Sequence, residues 1–250
     1  KHVHIAEYNP SECIKTNVGG AENVAKAALF ANVSKVIALS TDKASDPVSL
    51  YGASKLTADK LFISANNIRG GVRSTKMSVV RYGNVAGSRG SIIPIFQDLI
   101  KKGAKELPIT DKRMTRFWIT LDEATEFIFK TFARMKGGEI FIPKIPSIKI
   151  IDLAKAMLPN SKIKIIGLRP GEKLSEKLFS MNESHLTIEF KDHYVIRPTV
   201  VFQDKKIDYF KNGKSETGKK VKDAFEYRSD NNTHFLSIDK IKEINKKIEI

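Results

Sequence analysis

The chain has 250 residues, 41% of them hydrophobic and 28% charged, which suits one large globular domain or two small ones. No stretch approaches the ~18 uninterrupted apolar residues of a membrane span, Lys1-His2-Val3-His4 shows no signal-peptide pattern, and Cys13 is the single cysteine, so no internal disulfide forms and a reducing cytoplasm is expected. The formal charge of +15 admits nucleic acid or an anionic small molecule; the lysines are scattered and no basic stripe alternates with aromatics, so the expectation is an anionic ligand, with no nucleic acid and no membrane.

In chain order, Asn9, Pro10 and Glu12 predict a capped helix over 9–31, with Asn17 in its interior. An apolar strand covers 36–41. Asp46 as cap and Pro47 at the first position open a helix over 47–66. A second strand, 76–82, runs into Gly83-Asn84-Val85. A helix over 91–102 and a short strand at 114–119 follow. Thr120 and Glu123 form a capping-box pattern opening a helix over 121–134. Strand 139–142, helix 149–158 and strand 163–166 continue the alternation, which argues for an α/β fold with a parallel sheet. Beyond that, 174–179 reads as the start of a helix, 186–190 and 193–196 as extended segments, 211–220 as a polar, mobile loop and 239–248 as a terminal helix. The histidines show no metal-ligand spacing.

Chemistry concentrates between residues 40 and 55. Tyr51 and Lys55 are four apart on a predicted helix and share a face. An ammonium beside a phenol favours the phenolate, and a phenol tuned this way can take an alcohol proton as hydride leaves the same carbon. Such a pair is also common as an ordinary exposed feature. Here it follows a strand that ends at Ser40-Thr41, with Asp42-Lys43 directly after it. This arrangement resembles the extended short-chain dehydrogenase/reductase superfamily, in which a strand-end Ser/Thr and a Tyr-x-x-x-Lys helix form the active site. The resemblance implies catalytic roles for Thr41, Tyr51 and Lys55, with Tyr51 and Lys55 also contacting the cofactor.

Arg81-Tyr82-Gly83-Asn84-Val85, Met114-Thr115-Arg116-Phe117 and Arg169-Pro170-Gly171-Glu172-Lys173 follow in order. Together they resemble the nucleotide-sugar 4,6-dehydratases of the polysaccharide-biosynthesis group, and within it the inverting UDP-N-acetylglucosamine 4,6-dehydratases. The resemblance implies a UDP-sugar substrate, a tightly held and recycled NADP, a homo-oligomer and a surface-glycan pathway such as that of pseudaminic acid. It implies Asp42 as the acid at sugar C6 and Lys43 as the base at C5. A lysine base needs its pKa lowered by burial or a neighbouring cation. On the residues alone, Asp42 and Lys43 can equally pair and end the strand. Asn84, Arg116, Arg169 and Glu172 are the implied substrate contacts; Arg81 can be a structural ion pair, and Asn17 matches a structural asparagine of the superfamily. A UDP-sugar epimerase on the same scaffold, or an inactive binding module, are the competing readings.

No glycine-rich phosphate turn follows an opening strand, as a dinucleotide domain requires; Gly83 to Gly90 comes after the Tyr51 helix and reads as a substrate-side loop. On the order of 80–100 preceding residues are therefore expected. Residues 1–85 would then be the remainder of a doubly wound, Rossmann-like cofactor domain, and 86–250 mainly a smaller α/β substrate region with elements returning to the sheet. The polypeptide as given is not expected to be active alone.

Overall fold

A computed structural model describes residues 3–68, 75–200 and 207–248; His2 lies outside the described residues. The chain opens with helices α1 (Val3–Tyr8) and α2 (Pro10–Ile14), a π-helical turn (Lys15–Gly19) and α3 (Gly20–Phe30). The expected single helix over 9–31 is thus broken. Asn9 does not cap it; its amide turns back and donates to the Ile5 carbonyl at 3.1 Å. Strand β1 (Lys35–Thr41), a 3-10 turn (Asp42–Ala44), α4 (Leu50–Ala65), β2 (Lys76–Tyr82), β3 (Asn84–Val85) and α5 (Ile92–Lys101) follow. Then come β4 (Glu106–Ile109), β5 (Thr115–Ile119), α6 (Leu121–Arg134), β6 (Ile140–Pro143), β7 (Ser147–Lys149) and α7 (Ile150–Met157). The rest is β8 (Lys162–Ile165), β9 (Lys177–Phe179), β10 (Thr187–Glu189), β11 (His193–Ile196), β12 (Lys219–Lys220), β13 (Tyr227–Arg228) and α8 (Ile238–Ile248).

Six strands form the main sheet in the order β1-β2-β6-β11-β10-β12. The first three are parallel; β11, β10 and β12 each run antiparallel to the strand before them in that order. The sheet is therefore mixed rather than wholly parallel. The short link between β10 and β11 dictates this, because a hairpin joins only antiparallel strands. β2 lies inside the sheet, with Met77, Val79 and Val80 fully buried, as expected of a parallel strand covered on both faces.

Three further expectations change. Residues 174–179 hold a strand, not a helix: β9 pairs with β13 and buries Leu178 and Phe179 completely, and tertiary pairing outweighs local pattern in so short a segment. Asp46 does not cap α4. It sits at φ 43, and the helix begins later, at Leu50, with Ser49 as cap accepting from Gly52 N at 3.1 Å. The polar stretch 211–220 is tied down: the Asn212 side chain accepts from Lys214 N and Glu216 N, Glu216 pairs with Arg134, and β12 closes the sheet. The capping box at Thr120 and Glu123 forms as read.

Two apolar cores flank one cleft. Phe62, Met77, Val79, Ile140 and Ile142 belong to the core on the main sheet. Phe96, Leu107, Ile109, Trp118, Ile148 and Leu153, from α5, β4, β5, β7 and α7, build the second. Among the described residues no helix is long and apolar enough to cross a membrane.

Candidate active site

The site begins where β1 ends. Thr41 closes the strand and caps the 3-10 turn: its Oγ1 accepts from Lys43 N at 3.3 Å and donates to Asp42 Oδ1 at 2.8 Å. Asp42 is fully buried, and the same Oδ1 accepts from Lys43 Nζ at 3.0 Å. The chain then turns into α4, which approaches the turn closely at Gly52. A Cβ there would lie 2.3 Å from the Lys43 carbonyl oxygen. Glu7 from α1 reaches the first turn of α4 and accepts from Leu50 N at 2.7 Å, placing a negative group where the helix dipole favours one. Asn17, in the π-helical turn, donates to Ser54 Oγ at 2.9 Å. Its structural role therefore falls on the Tyr51–Lys55 helix itself.

Thr41, Lys43, Tyr51, Lys55, Asn84, Arg116, Arg169 and Glu172 all line one cavity of about 590 Å³. Asp42 lies behind that wall, and Glu176, which the sequence did not single out, lies on it. Lys55 donates to the Leu39 carbonyl at 2.7 Å, beside the half-exposed edge of β1. Behind α4, Asp59 accepts from Ser40 Oγ at 2.9 Å and pairs with Arg81 at 3.3 Å; Arg81 also meets Glu183. Arg81 is a completely buried structural ion pair that fastens the helix to the sheet.

The electrostatics differ from the sequence expectation in two respects. Burial pushes the Tyr51 phenol up, and the cation that opposes this is Lys43 rather than Lys55. Burial lowers the Lys55 ammonium, with Asp59 pulling the other way. Burial alone would also lower Lys43, but the carboxylates of Asp42 and Glu176 outweigh it and hold this ammonium well above its usual range. Lys43 is thus no pre-lowered base. Asp42 moves up, through burial that the Lys43 charge only partly offsets and that Glu176 reinforces. Burial would raise Glu176, but Lys43 and Arg116 bring it below the usual value.

The proposed substrate contacts fall into two groups. Arg116 is nearly buried and its guanidinium is engaged by the carbonyls of Thr115, Lys173 and Leu174 and, at 3.7 Å, by Glu176. It braces the wall of the cavity. Arg169 is half exposed on the cavity lining and paired with Glu172 at 3.9 Å, and Glu172 accepts from Arg169 N. Asn84 Oδ1 and Trp118 Nε1 are buried without a hydrogen-bond partner in the described residues. The two residues are register partners on β3 and β5 and both line the cavity. Buried polar atoms of this kind normally have partners, from protein or ordered water.

The inverting UDP-N-acetylglucosamine 4,6-dehydratase of Campylobacter jejuni (serotype O:2) is 59% identical to this chain over 98% of it and 73% of that protein. A UDP-glucose 4-epimerase of Rickettsia canadensis is 40% identical, covering 98% of this chain and 70% of its own length. Among solved structures, Pen from Bacillus thuringiensis superposes with a TM-score of 0.85 at 38% identity, over 100% of this chain and 74% of that one. DesIV, a dTDP-glucose 4,6-dehydratase from Streptomyces venezuelae solved with NAD bound, shares the fold at a TM-score of 0.62 and 23% identity, over 70% of this chain and 60% of its own. Residues 1–198 match the polysaccharide biosynthesis protein family, and the chain belongs to it.

Proposed function

We propose that the protein is a UDP-N-acetylglucosamine 4,6-dehydratase that inverts C5. The observation that carries this reading is the pair of buried Asp42 and cavity-lining Lys43, 3.0 Å apart at the wall that holds Tyr51. Dehydration needs an acid and a base beyond the phenol, whereas an epimerase that only turns a 4-keto sugar needs no acid for the C6 hydroxyl. The 59% identity to the Campylobacter enzyme supports it; the similarity to the Rickettsia epimerase keeps epimerisation as the second reading.

When bound, a nicotinamide cofactor would supply the hydride exchange between sugar C4 and C6. Tyr51 and Lys55 would hold it: the Lys55 ammonium has three donors, one of which is bonded to the Leu39 carbonyl. Tyr51, as the phenolate, takes the proton of the C4 hydroxyl, and Thr41, which lines the same cavity, orients that hydroxyl. The resulting ketone makes the C5 proton acidic. Lys43 then acts after passing a proton to Asp42 across their hydrogen bond, which yields a neutral amine and a carboxylic acid together. The amine removes the C5 proton, and Asp42 protonates the C6 oxygen, which leaves as water. The pair is then again an ammonium and a carboxylate, as it began; when hydride reaches C6, C5 takes a proton from solvent on the opposite face and Tyr51 gives up to solvent the proton it took, so that one water is lost in all. Arg169 suits the diphosphate. NADP rather than NAD, association into a homo-oligomer, a cytoplasmic setting and a pseudaminic acid pathway belong to this proposal on the resemblance alone, as does a boundary near residue 85 between cofactor and substrate regions.

The test is a product assay on the full-length protein with UDP-N-acetylglucosamine. A product lighter by one water is expected, and a product of unchanged mass sinks the dehydratase reading in favour of the epimerase. In heavy water, Lys43→Ala should abolish deuterium incorporation at C5; normal incorporation removes Lys43 from the base role.

A further inference from the structure

Glu176 belongs to no motif that carries the proposed reaction, yet it completes the acid–base cluster. It is 2% exposed. Its Oε1 lies 3.2 Å from Lys43 Nζ and 3.7 Å from Arg116 Nε. Its backbone is pinned on both sides by Ser229: Glu176 N donates to Ser229 Oγ at 3.0 Å, and Ser229 N donates to Glu176 O at 2.9 Å. Ser229 is anchored in turn by a 2.8 Å hydroxyl bond to Thr115. These bonds hold the Glu176 backbone in place, and its carboxylate meets the two cations through Oε1. Lys43 is therefore gripped by two carboxylates, Asp42 at 3.0 Å and Glu176 at 3.2 Å.

We propose that Glu176 is a positioning residue that sets the charge state of the Asp42–Lys43 pair. This rests on the dehydratase reading. Its negative charge acts on both partners in the same sense. It disfavours an ionised Asp42, keeping that carboxyl available as the acid, and it favours the Lys43 ammonium left by C5 deprotonation. Arg116, itself fastened to three backbone carbonyls, keeps Glu176 ionised. The other charged or titratable groups that bear on the cluster are Lys173, whose Nζ donates to the Ser45 and Asp46 carbonyls, and the Tyr51 phenol. Because acid and base feel one charge alike, removing it moves both limbs of the pH profile the same way.

The test compares Glu176→Gln and Glu176→Asp in the full-length enzyme. For Glu176→Gln the pH optimum of water loss should move to lower pH by about one unit or more, the usual effect of a charge at this distance. Glu176→Asp keeps the charge, so its optimum should stay in place even if the rate falls. A loss of rate in Glu176→Gln with an unmoved optimum, or an equal displacement in Glu176→Asp, overturns the inference and leaves the dehydratase reading standing. If the wild type releases no water, the dehydratase reading fails by itself. The charge coupling is then still decided by NMR titration of a 13C-labelled Asp42 carboxyl, which should titrate at lower pH in Glu176→Gln and overturns the inference if it does not move. If Glu176→Gln does not fold, a displaced optimum or displaced Asp42 titration in Glu176→Asp has the same force.

Discussion

Tyr51 carries the first proton transfer in the proposed reaction, and its surroundings set a clear expectation. Burial, with Asp42 and Tyr82 adding to it, disfavours the phenolate that takes the C4 proton, and Lys43 is the cation that opposes them. The chemistry therefore depends on the hydroxyl and not on the ring. Tyr51→Phe keeps the ring and its burial, so fold and substrate affinity should hold within a few-fold. Turnover should fall by about 10²–10⁴, the usual share of a positioned acid or base, as read by product formation under saturating substrate. A variant that retains full turnover would require another group to take the C4 hydroxyl proton. The residues of this local run were legible in the sequence because strand end, turn and helix bring them together within one short stretch. Glu176 was not, because its meeting with Lys43 joins distant parts of the chain and leaves no spacing to read.

At the scale of the element, α4 delivers Tyr51 and Lys55 only because it sits hard against the turn that carries Asp42 and Lys43. Gly52 is the point of closest approach, with 2.3 Å between a notional Cβ and the Lys43 carbonyl oxygen and 3.0 Å to Pro47 Cβ. The neighbour is backbone and cannot swing aside. Gly52→Ala should thus destabilise the protein by about 1–3 kcal/mol, as overpacking does, and lower turnover by moving the helix relative to the turn; thermal unfolding and the product assay read the two effects. Gly20 provides the contrast. It has helical backbone angles and open space where a Cβ would go, so Gly20→Ala should stabilise by about 0.5–1 kcal/mol. The reverse ranking would mean that α4 does not rest on the turn as described. The sequence indicated that a helix carries Tyr51, but it placed the start at Pro47. Asp46 instead takes φ 43, its side chain pairs with Lys177 at 3.1 Å, and Ser49 caps.

Across the whole molecule, the main sheet runs from the catalytic edge at β1 to β12, and the interior strand β11 opens on a buried histidine. His193 is fully buried, stacked on Phe190 and Phe141 at centroid distances of 4.6 and 5.8 Å, with Nδ1 2.7 Å from Asp192 Oδ1. Its Nε2 is buried without a partner in the described residues. Burial holds the imidazole below its usual value of 6.5, Asp192 only partly restoring it. A histidine depressed in the folded state contributes stability that is complete above the unfolded value and is lost as pH falls through the folded one. His193→Phe removes that dependence. Between about pH 7 and about pH 5 the wild type should lose more stability in urea unfolding than the variant, at up to about 1.4 kcal/mol per pH unit; equal losses would show that His193 is not protonated on unfolding in that range.

What the sequence determined by itself is whatever short-range chemistry encodes. The apolar runs and caps located most strands and helices, the Thr120 capping box among them, and the spacing of Tyr51 and Lys55 put them on one face. The ordered motifs from Arg81 to Lys173 pointed to the family. The tertiary structure alone decided that the sheet turns antiparallel at β11, that residues 177–179 pair as a strand, and that Arg116 braces the wall while Arg169 stays half exposed. It also decided the charge on Lys43. A pKa depends on burial and on which charges lie within a few ångströms, and two carboxylates around one ammonium, one adjacent in sequence and one remote, are a property of the folded chain.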